Sequence, residues 1–163
     1  MNSRFRYGES APPTATSKAR PLILSVDDEP LILYTRQRIL ECAGYDVWSA
    51  ADGEQALHVF SRYSGCIDLV LLDYVMPGRH GGDVAREMKR IRAQVPIVLV
   101  SAIDVPQQIL ACFDCRVDKG EGPATLLARI SELLAESAKP ARRIPPSIAQ
   151  TQNRSHKQRD RRA

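Results

Sequence analysis

Polar residues follow several short apolar runs in the middle of the chain, at positions where their side chains could do chemistry. Asp27 and Asp28 come directly after the run PLILSV, and Asp73 follows IDLVLL. Ser101 ends PIVLVS, and Lys119 follows RVD. A carboxylate inside a core is costly unless a partner compensates its charge. Each of these residues is therefore either a simple cap or turn residue or part of a site at the edge of the fold.

Together these side chains suit phosphoryl transfer. Three neighbouring carboxylates repel one another unless a cation lies among them, and Mg²⁺ prefers carboxylate oxygens, water and phosphate. An ammonium and a hydroxyl would complement the oxygens of a phosphoryl group, and Asp73 could act as a nucleophile that forms an acyl phosphate. Taken singly, Asp27 or Asp28 would be an N-cap and Asp73 a turn residue. Ser101 would then be a strand end and Lys119 a surface charge.

The apolar runs alternate with helical patterns along the chain. Strands are predicted at 21–26, 45–50, 67–72, 96–101 and 116–118. Helices are predicted at 30–43, from 52 onward, at 83–92, 106–113 and 123–136. Strands that are apolar throughout predict a parallel sheet with helices on both faces, whose ligand site lies at the carboxyl ends of the strands. The polar residues named above should therefore converge at one edge.

The spacing of apolar residues predicts which helix faces point inward. In the first helix this pattern predicts that Leu40 and Ala43 are buried, with Gly44 as the residue that ends the helix. In the third helix it predicts that Met88 and Ile91 face the core.

Charge is unevenly distributed over the 163 residues, whose net charge is +4. Segment 1–20 carries +3 and segment 139–163 carries +7, whereas 21–138 carries −6. Both basic segments are too polar to offset the entropy of ordering, so both are predicted to be disordered. No apolar run could span a bilayer and no secretory signal opens the chain, which predicts a cytoplasmic protein with reduced thiols.

The middle of the chain resembles the receiver domain of two-component response regulators. The resemblance covers about residues 20–138 and rests on four motifs, VDDEP (26–30), LLDYVMPG (71–78), PIVLVSA (96–102) and VDKG (117–120). It implies an α/β, flavodoxin-like, doubly wound (βα)5 fold with a five-stranded parallel sheet. The expected domain is 21–138, between a disordered arm (1–20) and a basic disordered tail (139–163).

The resemblance also implies a role for each candidate residue. Asp73 would be the phospho-acceptor, Ser101 the switch hydroxyl and Lys119 the phosphate-binding lysine. The implied cofactor is Mg²⁺. Its implied ligands are Asp28, Asp27 largely through water, Asp73 and the backbone carbonyl of Val75.

The implied function is that of a stand-alone receiver, because the polar tail after Ala138 is too short for an output domain. Its expected partners are a sensor histidine kinase or histidine phosphotransfer protein and an unknown downstream protein, with no membrane partner. It is not expected to be an enzyme beyond catalysing its own phosphorylation and dephosphorylation. The tail lacks aromatic residues for base stacking, so only weak non-specific contact with nucleic acid is expected.

Alternative functions stay open at this point. The domain could act as an interaction module independently of phosphorylation. It could also be a Mg²⁺-dependent aspartyl phosphatase of the haloacid-dehalogenase type, although that family typically places a second Asp where this chain has Val75. A flavodoxin-like cofactor binder is disfavoured, because Asp27 and Asp28 would repel a phosphate.

Departures from the usual receiver pattern cluster in one region. Arg116 stands where an aromatic residue is common, Gly120 replaces a proline, and the interval from Ser101 to Lys119 is short. We therefore expect the usual aromatic switch to be absent. Signalling would instead use the first helix and the loops around Asp73.

Overall fold

Strands and helices alternate along the chain in the predicted order. A computed structural model describes residues 20–137, so the predicted arm, apart from Arg20, and the basic tail lie outside the described residues. The strands are β1 (Leu22–Val26), β2 (Asp46–Ala50), β3 (Leu69–Asp73), β4 (Ile97–Ser101) and β5 (Cys115–Asp118). The helices are α1 (Pro30–Cys42), α2 (Gly53–Tyr63), α3 (Gly81–Ile91), α4 (Gln107–Leu110) and α5 (Pro123–Ser137). Within 20–137, none of the helices is both long and apolar enough to cross a membrane.

All strand pairs in the sheet are parallel, in the order β2-β1-β3-β4-β5. This order is that of a flavodoxin-like doubly wound sheet, so the predicted fold is confirmed. Every residue of β3 and β4 is buried, as expected for strands covered on both faces.

Successive side chains of the strands pack alternately into two separate apolar layers, one on each face of the sheet. Val70 and Leu72 of β3 pack in one layer with Phe60 of α2. Leu71 packs in the other layer with Ile130 of α5. Full burial of such side chains contributes about 1.5–3 kcal/mol each, and both layers hold the ends of β1 and β3 in place.

Two predicted inward positions are wrong, and both lie at helix ends. Helix α1 stops at Cys42, so Ala43 is its exposed C-cap, and Gly44 follows with a positive φ of 95°. Ile91 ends α3 and is 41% exposed. Apolar periodicity therefore extends to the ends of these helices, where the side chains are exposed.

Candidate functional site

Three aspartates meet at the carboxyl edge of β1 and β3. Asp27 and Asp28 follow β1, and Asp73 is the last residue of β3, which pairs with β1. One carboxylate oxygen from each residue lies within 4.8 Å of the other two. Asp27 is 0% exposed and Asp73 is 5% exposed, whereas Asp28 is more accessible. The structure thus brings together the carboxylates that the sequence placed at strand ends.

Lys119 reaches this acidic cluster from the end of β5. Its Nζ lies 2.8 Å from Asp73 Oδ2 and 3.1 Å from Asp27 Oδ2. Burial lowers the pKa of Lys119, but hydrogen bonds to Asp73 and Asp27 and the attraction of their negative charges together outweigh this effect, so the pKa is raised overall. The ammonium therefore stays protonated at neutral pH and offsets part of the cluster's negative charge.

A second cation at the cluster, Arg36 of α1, is not among the site residues predicted from the sequence. Its Nη2 lies 3.0 Å from Asp27 Oδ2, and its Nη1 donates to Ser25 Oγ at 3.2 Å. The side chain of Arg36 is only 6% exposed. Arg36 shares the buried stripe of α1 with Leu33 and Leu40. An arginine at an inward position of that stripe is the signal that could have identified it.

The hydrogen bonds of the carboxylates differ between Asp27 and Asp73. Oδ2 of Asp27 accepts from both Arg36 and Lys119, and Oδ1 accepts from the amide of Glu29 at 3.1 Å. Asp73 has Lys119 on Oδ2 and a long contact of 3.4 Å from the Val75 amide on Oδ1. Asp73 therefore keeps more acceptor capacity than Asp27 does.

The donor set fits a hard divalent cation such as Mg²⁺. Three carboxylates face two side-chain cations, so the cluster keeps a net negative charge. The carboxylate oxygens supply the oxygen ligands that Mg²⁺ prefers. Val75, whose carbonyl is a predicted ligand, lies in the loop that follows Asp73 and is exposed.

Ser101 lies at the same edge of the sheet, but its hydroxyl is engaged with the loop after β4. The buried Oγ donates to the carbonyl of Ile103 at 3.0 Å and accepts from its amide at 3.2 Å. The same carbonyl accepts from Arg116 Nη2 at 3.1 Å, and Arg116 also pairs with Asp104 at 3.3 Å. Arg116 thus holds this loop from the partly exposed position where an aromatic residue is common in receivers.

Backbone geometry after β3 requires glycine near Asp73. Gly78 has a φ of 82°, which turns the chain after Pro77. The amide of Gly81 donates to the carbonyl of Tyr74 at 2.9 Å, and a Cβ at Gly81 would collide with the carbonyl oxygen of Asp73. Helix α3 thus begins at Gly81, two residues before the predicted start at Asp83, and its first residue packs directly against the backbone of Asp73.

Curated proteins similar to this chain carry regulator names. A probable transcriptional regulator, ycf27, of Porphyridium aerugineum is 39% identical over 116 residues, 69% of this chain and 47% of that protein. Response regulator SaeR of Staphylococcus aureus is 33% identical over 121 residues, 72% of this chain and 52% of that protein. The chain thus spans about half the length of these relatives.

Solved receiver structures are similar in fold. The CheY-like receiver domain protein of Methanospirillum hungatei has a TM-score of 0.68 and 26% identity, covering 73% of this chain and 97% of that one. Thermotoga maritima TrrA, solved with Mg²⁺ and beryllofluoride, has a TM-score of 0.65 and 34% identity, covering 69% and 98%. The model of the response regulator receiver domain matches residues 23–130. By this match and by its five-stranded parallel fold, the chain belongs to the response regulator receiver domain family.

Proposed function

We propose that this receiver accepts a phosphoryl group on Asp73 in a Mg²⁺-dependent reaction and signals by binding other proteins. The observation that carries this proposal is the contact of Lys119 with both Asp73 and Asp27, beside the carboxylate of Asp28. A nucleophile, a cation site and an ammonium then share one edge of the sheet. Such an arrangement supplies positioning and charge stabilisation, which dominate the catalysis of phosphoryl transfer.

In the proposed reaction, a carboxylate oxygen of Asp73 attacks the phosphorus of the donor. A bond forms between that oxygen and phosphorus, the bond from phosphorus to the donor breaks, and its electron pair leaves with the donor. Lys119 would exchange its contact with Asp73 for one with a phosphoryl oxygen. Mg²⁺, held by Asp28, Asp73 and the carbonyl of Val75, with Asp27 largely through water, would neutralise charge on the transferred oxygens.

The proposed output differs from an aromatic switch. Ser101 would exchange its bond to the Ile103 carbonyl for one to the phosphoryl group, and Arg116 would keep its own bond to that carbonyl. The short α4, four residues long, offers little surface for a partner. Leu31 and Tyr34 on α1 are 75% and 62% exposed, and they favour docking on α1 beside the acidic cluster.

The proposed phosphodonor is a sensor histidine kinase or a histidine phosphotransfer protein in the cytoplasm, and the signal passes to a further protein. We propose no enzymatic activity toward other substrates. For the basic tail, 139–163, we propose weak non-specific contact with nucleic acid at most. Since the relatives are about twice as long as the matched region, the proposals on phosphodonor and output concern the receiver domain itself.

Phosphorylation of the native chain tests the proposal directly. Incubation with acetyl phosphate and Mg²⁺ should add one phosphoryl group, stable in acid and labile in base, because the product is an acyl phosphate. Intact-protein mass spectrometry measures the gain, and a parallel incubation with EDTA should show none. An unmodified chain in both incubations would favour the alternative of an interaction module that acts without phosphorylation.

Asp28→Asn should abolish the response of the protein to Mg²⁺. A ligand that binds only the folded state raises the melting temperature, so millimolar Mg²⁺ should stabilise the native chain. The variant removes a charged ligand that, unlike Asp27, has no ion pair among those described for residues 20–137. Differential scanning calorimetry with and without Mg²⁺ measures the effect. Asp46→Asn, which removes an exposed carboxylate at the start of β2, is the control. Equal Mg²⁺ responses in Asp28→Asn and the native chain would place the metal elsewhere.

A further inference from the structure

Among the described residues, Arg36 is the one buried basic side chain, and phosphoryl transfer as proposed above does not use it. It lies on α1, a helix whose other two buried side chains, Leu33 and Leu40, are apolar. Burying a guanidinium is costly unless its charge is paired. The pairing with Asp27, at 3.0 Å, places this charge directly on the acidic cluster.

The contacts of Asp27 show what Arg36 does there. A carboxylate has roughly four lone-pair sites, two on each oxygen. Arg36 and Lys119 occupy Oδ2, and the amide of Glu29 occupies one site on Oδ1. About one acceptor site on Asp27 is left for a metal-bound water or a metal. Without Arg36, Oδ2 would regain a site and the cluster would gain one unit of negative charge.

We propose that Arg36 is a positioning residue that holds Asp27 away from direct metal ligation and lowers the affinity of the cluster for Mg²⁺. This inference rests on the Mg²⁺ site of the proposed function. Lys119 must remain free to move from Asp73 to a phosphoryl oxygen, so Arg36 is the cation that keeps the buried Asp27 compensated throughout. A divalent ion then meets two available carboxylates, Asp28 and Asp73, instead of three.

A solely structural role for Arg36 makes a different prediction. The bond from Nη1 to Ser25 Oγ ties α1 to β1, so loss of Arg36 lowers the melting temperature of the metal-free protein in either case. Only the proposed role also changes the affinity for Mg²⁺. Measuring both the Mg²⁺ affinity and the melting temperature of the variants therefore distinguishes the structural role from the proposed one.

The test measures Mg²⁺ affinity by isothermal titration calorimetry on the full chain and its variants. Arg36→Gln should bind Mg²⁺ about tenfold more tightly than the native chain, because a nearby positive charge is lost from a poorly screened site. Arg36→Lys, which keeps the charge, should stay within about threefold of the native affinity. Arg38→Gln removes an exposed charge that pairs with Glu41 on the same helix, and it should bind as the native chain does.

Each result bears on the proposal. Unchanged or weaker Mg²⁺ binding by Arg36→Gln than by the native chain would overturn the proposal. It would also be overturned if Arg36→Lys bound Mg²⁺ as tightly as Arg36→Gln does. If Arg36→Gln is unfolded without metal, Mg²⁺ should restore its fold, since the ion replaces the missing cation, and failure to do so would also count against the role. Absence of Mg²⁺ binding by the native chain would instead refute the underlying metal site.

Discussion

Asp73→Asn is expected to lose phosphorylation by at least about a thousandfold, because the substitution removes the attacking oxygen anion. The amide matches the carboxylate in size, and its oxygen can still accept from Lys119, 2.8 Å from Asp73 in the native chain. The fold should therefore persist, with a melting temperature close to the native one. Intact-protein mass spectrometry after incubation with acetyl phosphate and Mg²⁺ measures the loss.

Asp83→Asn provides the matched control for this experiment. Asp83 lies in the first turn of α3, near the same edge of the sheet, and its exposed carboxylate pairs with Arg86 at 2.7 Å. The control variant should gain one phosphoryl group, as the native chain does. Labelling of Asp73→Asn at the native level would show that the acceptor is another residue.

Lys119→Met is expected to fold yet lose the conformational response to beryllofluoride, a mimic of the phosphoryl group. The ammonium contacts both buried carboxylates, so without it nothing would link the arriving group to β5 and the adjoining loop. Loss of the ion pairs should lower the stability of the metal-free protein by about 1–3 kcal/mol, since Arg36 still compensates Asp27. Chemical denaturation measures this loss, and amide NMR spectra with Mg²⁺ and beryllofluoride measure the response.

The control for Lys119→Met is Lys89→Met. Lys89 forms a similarly short ion pair with Asp114, at 2.7 Å, and its side chain is 25% exposed compared with 19% for Lys119. Loss of this ion pair should lower the free energy of unfolding but leave the spectral response to beryllofluoride intact. A native-like response in Lys119→Met would remove that lysine from the signalling mechanism.

The candidate site combines contacts that were foreseeable with contacts that were not. The convergence of Asp73 and Lys119 was foreseeable, because parallel strands end at one edge and both residues stand at strand ends. The hydrogen bond from Ser101 to Ile103 could not be predicted. A serine hydroxyl can bond either its own loop or a neighbouring group, and the sequence does not distinguish these two partners. For Arg116, the sequence indicated only that an arginine replaces the aromatic residue common at this position. Its bond to the Ile103 carbonyl emerged from the fold.

The sequence by itself determined the succession of strands and helices, the parallel sheet and the edge at which the acidic residues meet. These features follow from local apolar patterns and from the rule that links strand ends to the ligand site. The start of α3 at Gly81 was decided by packing, since the backbone of Asp73 leaves no room for a side chain there. The partners of Asp27 were likewise decided only by the tertiary structure. Arg36 and Lys119 come from α1 and from the end of β5. The buried carboxylate of Asp27 pairs with both because the fold places their nitrogens within about 3 Å of its oxygen.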